Sequence, residues 1–312
     1  MINIKIFTLF PEIFKDYLNT SILGKSLEKG LWNYEIINIR DYSTEKHKKV
    51  DDIPFGGGCG MIMQAEPVAN AIDANCDIKN TKFYYMSPRG QVFNQKKVNE
   101  VLKFNEIGII CARYEGMDQR VIDEYNMEEI SIGDFVLTGG ELPALTMIDC
   151  CIRCIDGVLG NNNSINDESF GGIKQSKNNY LLEYPLYTQP RVWRNREVPE
   201  VLLSGHHKNI ENWKLEQSEK ITKERRPDLW EKYKKKNYIE GKGHTSYFCP
   251  SLSKMNSWPI KKYQNYLIKH MEKLIRADAD KNIRRFDRLM QDLSCIDSRI
   301  NFLGLDILMG KL

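Results

Sequence analysis

The first ten residues, Met1-Ile-Asn-Ile-Lys-Ile-Phe-Thr-Leu-Phe10, alternate apolar and polar side chains as a half-buried strand does, predicting a strand over 3–9. Short β-rich runs of the same kind recur at 34–38, 82–86, 107–111 and 129–131. Between them the apolar spacing lengthens to the helical period, predicting helices at 13–20, 21–29, 67–74, 94–102, 119–125 and 141–155. Strands and helices in alternation imply an α/β fold, a parallel sheet covered by helices, over residues 1–160.

The pattern changes after that. Asn161-Asn-Asn-Ser-Ile-Asn-Asp-Glu-Ser-Phe-Gly-Gly172 is polar and without period, so 161–180 reads as a flexible interdomain linker. Beyond Pro185 and Pro190 the chain becomes Lys-rich and helical over 209–223 and 226–236, which makes 181–236 a smaller all-helical domain. A hydrophilic break at 238–259 precedes amphipathic stretches at 260–275 and 280–293, so 237–312 is a helical extension whose role the sequence does not assign.

Charge sharpens this division. The 312 residues carry 45 Lys plus Arg and 42 Asp plus Glu, a net charge of +3 that by itself suggests no polyanionic partner. Residues 1–150 hold 16 basic and 22 acidic side chains, 151–200 six of each, and 201–312 hold 23 against 14. The basic end favours phosphate contacts. Lys208, Lys214, Lys220, Lys223, Arg225 and Arg226 are spaced to put several cations on one helical side, with Trp193, Trp213, Trp230 and Tyr233 available as platforms for unpaired bases.

With 41% hydrophobic and 28% charged residues the composition is that of a globular protein, and collagen-like or wholly disordered chains are excluded. No apolar run approaches the roughly 18 residues of a membrane span, and Pro11 and Glu12 interrupt the N-terminal apolar stretch before a signal-peptide core can form. The eight cysteines are scattered through apolar stretches, as reduced core thiols in a cytoplasmic protein are. Cys151-x-x-Cys154 has no second pair at zinc spacing, and the five histidines show no ligand spacing, so no metal site is expected.

Three glycine-bearing loops interrupt the α/β half: Pro54-Phe-Gly-Gly-Gly-Cys-Gly-Met61, Met86-Ser-Pro-Arg-Gly90 and Ser131-Ile-Gly-Asp-Phe-Val-Leu-Thr-Gly-Gly-Glu-Leu-Pro143. Glycine allows close backbone approach to a ligand, and loops at the carboxyl ends of parallel strands are where open α/β sheets bind small molecules. Neither a P-loop nor a GxGxxG in strand-turn-helix context is present, so the common phosphate-cradling folds lose support.

Those loops, with Ala112-Arg-Tyr-Glu-Gly-Met-Asp-Gln-Arg120 and Val201-Leu-Leu-Ser-Gly-His206, occur in an order that closely resembles the bacterial tRNA (guanine-N1-)-methyltransferases of the SPOUT superfamily. The resemblance runs from Met1 to about residue 235. It implies a cytoplasmic homodimer with a trefoil knot at the end of the parallel-sheet domain and S-adenosylmethionine held by the knot loops. The implied cofactor positions are Tyr85, Met86, Ser87, Pro88 and Gly90, then Ala112, Tyr114 and Gly116, then Ser131, Ile132, Gly133, Asp134, Phe135, Val136, Leu137, Gly139, Gly140 and Pro143.

The implied reaction is methyl transfer to N1 of the guanosine immediately 3′ of the anticodon, position 37, in tRNA. That nitrogen carries a proton, so the transfer needs a base at N1 and a donor for the charge growing on O6. The resemblance puts Arg153 in the donor role and a carboxylate before Ser169-Phe170 in the base role. Aspartate is usual there, whereas this chain has Glu168, with Asp167 beside it as the alternative. Substrate contacts are implied at Glu115, Glu183, Ser204 and His206, and Glu115 also carries the family's magnesium dependence. Departures from the family pattern are Ala112 for glycine, Glu183 for aspartate, Leu186 for histidine and Gln189 for arginine. A SPOUT methyltransferase with another RNA target and a non-catalytic RNA-binding protein are the rival readings.

Overall fold

A computed structural model describes residues 1–160, 168–170 and 180–239. Five strands form one all-parallel sheet in the order β2-β1-β6-β5-β7. They are β1 (Ile2–Thr8), β2 (Trp32–Asn38), β5 (Thr81–Val92), β6 (Glu106–Ile110) and β7 (Glu128–Ser131). Four of the five lie within two residues at each end of the predicted stretches. Two short strands, β3 (Asp51–Asp52) and β4 (Ile62–Met63), pair antiparallel outside the sheet and carry too few residues for a sequence period.

Both faces of the sheet are buried, so its residues sort by parity. Ile2, Ile4 and Ile6 of β1 pack with Tyr84, Ile107 and Ile109 on one side. Helices α1 (Glu12–Leu18), α2 (Ser21–Glu28), α4 (Gln95–Val101) and α6 (Glu141–Ile152) cover that side through Phe14, Leu18, Leu23, Val98, Met147 and Ile148. Phe7, Phe83, Tyr85 and Ile110 face the other side, under α3 (Ala65–Asn75) and α5 (Gln119–Glu124). Gly108 makes room in the middle: a Cβ there would lie 2.6 Å from the Phe83 ring. At about 25 cal/mol per Å² of apolar surface, these two layers dominate the stability of the sheet domain.

The fifth strand differs from its prediction. Residues 86–90 are not a loop after a finished strand, because β5 continues to Val92 with a register shift in which Ile130 faces both Met86 and Gln91. Ser87 to Gly90 is therefore an excursion within a strand, and such bulges redirect side chains without ending the pairing. Gly90 explains how the strand resumes: a Cβ would stand 2.3–2.5 Å from the β7 backbone at Glu129 and Ile130.

The segment 181–236 is not all-helical as expected: Val192–Trp193 and Arg196–Glu197 form a small antiparallel hairpin, β8 and β9, closed by a two-residue turn, its strands too short to show a sequence period. A long helix, His207–Arg225, and a second, Pro227–Ile239, follow. Pro227 lacks an amide hydrogen and restrains Arg226 before it, which separates the two helices. Met1–Lys236 forms one compact unit. The stretches anticipated at 260–275 and 280–293 lie outside the described residues, as does most of the anticipated linker.

Candidate active site

Strands β6, β5 and β7 are neighbours, so the chain segments leaving their carboxyl ends converge. They enclose a cavity of about 390 Å³, within the range of small-molecule sites. One wall is Tyr85 to Arg89, a second is Ala112 to Met117, and the third is Ser131 to Gly140 without Asp134. The loop holding Glu115 is tied to the glycine-rich loop before β4: the Glu115 amide donates to Met61 O at 2.9 Å and the Met63 amide to Gly116 O at 2.9 Å. Gly60 brings that loop against the Glu115 side chain, where a Cβ would stand 2.7 Å from Cγ.

Close approach also defines the wall beyond β7. A Cβ on Gly140 would lie 2.8 Å from the Cys111 Cα and 3.2 Å from the Ala112 nitrogen, and one on Gly139 only 2.4 Å from Arg113 Nε. The Gly140 amide donates to Ala112 O at 3.0 Å, stitching the two loops together. Under them lies Glu141, 2% exposed, which accepts from Thr8 Oγ1 at 3.0 Å and pairs with Arg113 Nε at 3.0 Å. Arg113 also lies over the Phe10 ring at 4.4 Å and donates to Thr138 O. A buried carboxylate persists only when paired and hydrogen-bonded, and this network meets both conditions.

The cavity wall mixes glycines and apolar side chains with Arg89, Arg113 and Glu115, and Glu141 offsets the charge of Arg113. Burial pushes the Tyr85 phenol and the Cys111 thiol up from their ordinary values, so both are neutral at physiological pH.

A second group of residues lies at the end of α6. Arg153 caps that helix, and its fork meets Glu168 in two contacts of 2.8 Å, Nη2 to Oε1 and Nη1 to Oε2. The hydrogen bond to Glu168 raises the guanidinium pKa, ahead of the opposing effect of burial. The neighbouring residue is anchored too: Ser169 Oγ accepts from the Glu183 amide at 2.9 Å, and the Leu182 amide donates to Thr222 Oγ1 at 2.8 Å. A bidentate arginine–carboxylate pair fixes both orientation and charge.

Comparison with known proteins decides which family carries these features. The family model described as tRNA (Guanine-1)-methyltransferase TrmD matches residues 2–232. The chain belongs to the tRNA (guanine-1)-methyltransferase family. A relative named tRNA (guanine-N(1)-)-methyltransferase from Wolbachia pipientis wMel is 50% identical over 231 residues, covering 73% of this chain and 94% of that protein. Proteins of the same name from Rickettsia akari (strain Hartford) and Pelagibacter ubique (strain HTCC1062) are 51% and 48% identical, over 72% and 74% of this chain and 95% and 98% of theirs.

Against the positions that family resemblance implied, the fold gathers Tyr85, Met86, Ser87, Pro88, Ala112, Tyr114, Gly116, Ser131, Ile132, Gly133, Phe135, Val136, Leu137, Gly139, Gly140 and Pro143 around one cavity. Gly90 and Asp134 do not line it, and Gly90 instead packs on β7. Ala112 is buried and is not among the residues of positive φ, so its methyl group needs no strained backbone. Glu115 lines the cavity, whereas Glu183, Ser204 and His206 do not. Ser204 stays exposed, donating to Val201 O at 2.8 Å and accepting from the His206 amide at 3.2 Å within its own turn. Asp167 lies outside the described residues.

Arg89, Arg113 and Gln119 also line the cavity and were not singled out in the sequence. Arg113 and Gln119 stand inside the Ala112–Arg120 motif, so the available signal was a charged or amide side chain beside the glycines. No group of three or more metal-ligating residues occurs among the described residues. Six cysteines are free there, with Cys111, Cys151 and Cys154 buried; Cys249 and Cys295 lie outside.

Proposed function

We propose that this enzyme transfers the methyl group of S-adenosylmethionine to N1 of the guanosine immediately 3′ of the anticodon in tRNA. Membership of the tRNA (guanine-1)-methyltransferase family supports the reaction class. The single observation that carries the assignment of roles is the bidentate Arg153–Glu168 pair, a base and a hydrogen-bond fork already side by side.

S-adenosylmethionine supplies the electrophilic methyl group when bound in the cavity. Glu168 accepts the N1 proton as the nitrogen becomes nucleophilic, which offsets the weak nucleophilicity of a protonated ring nitrogen. Arg153, released from one of its contacts with Glu168, donates to O6 where negative charge develops. Glutamate in place of the family's aspartate adds one methylene of reach, and both its oxygens already meet the guanidinium. Glu115, at the cavity rim beside Gly60, accepts from a neighbouring guanine edge and gives magnesium a carboxylate to approach.

Neither Arg153 nor Glu168 lines the cavity of its own chain. That separation, with Val136 and Leu142 exposed close by in sequence, supports a homodimer in which one copy's pair faces the other's cofactor. The knotted threading of the cavity loops, the linker at 161–180, the tRNA-binding role of 181–236 and a cytoplasmic location belong to the same reading. Among the described residues no helix is long and apolar enough to cross a membrane.

The test is methyl transfer from labelled S-adenosylmethionine to tRNA transcripts carrying guanosine or adenosine 3′ to the anticodon. Incorporation into the guanosine transcript alone is expected; none would sink the proposal. Glu168→Gln should lower the rate by about 100-fold to 10,000-fold while cofactor affinity stays unchanged. Retained activity would pass the role to Asp167.

A further inference from the structure

Of the tryptophans among the described residues, three are covered: Trp32 is buried in the sheet core, Trp213 tilts against Tyr187, and Trp230 stacks on Tyr233. Trp193 is 55% exposed. It stands at the tip of the β8–β9 hairpin, paired with Arg196 across the ladder, and the Arg194 guanidinium lies over its ring at 4.8 Å. A single exposed apolar side chain is ordinary, but this one shares a short hairpin with three exposed arginines, and that combination is what the fold does not require.

The hairpin is well braced. Its two turn residues, Arg194 and Asn195, have φ of 48° and 61°, as a two-residue turn of matching twist requires, and the Val198 amide donates to Arg191 O at 3.0 Å. Asparagine suits such a turn; arginine in the left-handed region does not. The strained position places a cation against the indole. Arg191 and Arg196 are exposed on the same hairpin, and no ion pair joins any of its three arginines to a carboxylate among the described residues.

We infer that the Arg191–Glu197 hairpin is a nucleic-acid contact, in which Trp193 stacks on an unpaired base and Arg191, Arg194 and Arg196 meet the phosphates beside it. An aromatic face offers every base the same stacking surface, and uncompensated guanidinium groups supply charge complementary to an RNA backbone. The inference rests on tRNA being the substrate and names the element within 181–236 that meets it.

The experiment uses the full chain and measures tRNA affinity at two salt concentrations, with S-adenosylmethionine affinity as the control. Trp193→Ala should weaken tRNA binding by about 5-fold to 100-fold, Trp193→Phe should restore most of it, and KM for tRNA should rise more than kcat falls. Arg194→Gly should relieve the turn and leave the melting temperature unchanged or higher while still weakening tRNA binding, a combination that a purely structural role does not produce. Arg191→Gln should flatten the salt dependence by about one unit of slope. Affinity of Trp193→Ala within two-fold of the wild type would overturn the inference. So would unchanged affinity with an altered oligomeric state, which would assign the face to protein contact. Because binding is read apart from methylation, a wild type that binds tRNA but does not methylate it leaves this test intact and counts only against the proposed reaction.

Discussion

Around the cavity, backbone meets backbone at distances that leave no room for a methyl group: Gly140 against Cys111 and Ala112, Gly90 against Glu129 and Ile130. The His207–Arg225 helix buries only Ser218 and Thr222, both small and polar, and Thr222 spends its hydroxyl on Ser218 O and the Leu182 amide. One region is shaped by exclusion, the other by solvated charge. On the proposed reading the difference has a reason: a cofactor whose methyl group must be aimed demands a preorganised wall, whereas phosphates are met by flexible cations that adjust on contact.

If this contrast is right, substitutions on the two sides should separate cleanly by readout. Glu141→Ala should have the largest effect. It strands Arg113 and Thr8 beneath the cavity and should cost about 3 kcal/mol in denaturant unfolding, together with most of the cofactor affinity. A fully stable variant would mean that the cavity floor is not held by this pair. Gly140→Ala should come next, at about 1–3 kcal/mol, because the nearest atoms it meets, in the Cys111 and Ala112 backbone, cannot swing away. Calorimetric titration of S-adenosylmethionine should show the loss, and unchanged binding would break the exclusion argument.

On the other side, Lys220→Gln with Lys223→Gln should leave melting and cofactor affinity alone and reduce the salt slope of tRNA binding by about two. A fall in stability instead would show that the helix is not merely solvated. The smallest effect concerns Asp228, whose carboxylate meets Arg226 at 2.7–2.8 Å and is held down to about 2 from 3.8, first through that hydrogen bond. A depressed acid stabilises the fold above its unfolded value, so the contribution should vanish as pH falls from about 4 to about 2. Asp228→Asn should therefore narrow the stability difference from wild type in acid and not at pH 7.

The cations of the long helix illustrate where sequence reading stops. Lys220 and Lys223 share a side, but at about 100° per residue Lys214 and Arg225 fall nearly opposite. Lys214 lies over the Tyr184 ring at 4.5 Å, and Arg226 sits beyond the helix, engaged with Asp228. Composition correctly marked the segment as basic and could not say which charges remain free. The same holds for the aromatic platforms: Tyr233 is buried and Trp213 and Trp230 are partly covered, which leaves Trp193. By contrast four of the five sheet strands were legible to within two residues of their ends, because short β-branched and aromatic runs bounded by turn residues stand out in one-dimensional sequence, whereas β5 continues past its run through the excursion at Ser87 to Gly90.

Local pattern alone therefore determined the α/β class, the strands, the helices against them and the glycine-rich segments that had to bend. It also determined the division between an acidic first half and a basic end. Only the tertiary structure decided that β6, β5 and β7 are neighbours, that Glu141 reaches Thr8 and Arg113, and that Arg153 grips Glu168. The reason is distance along the chain: Glu141 and Thr8 are 133 residues apart, and no periodicity of 2 or 3.6 carries information that far.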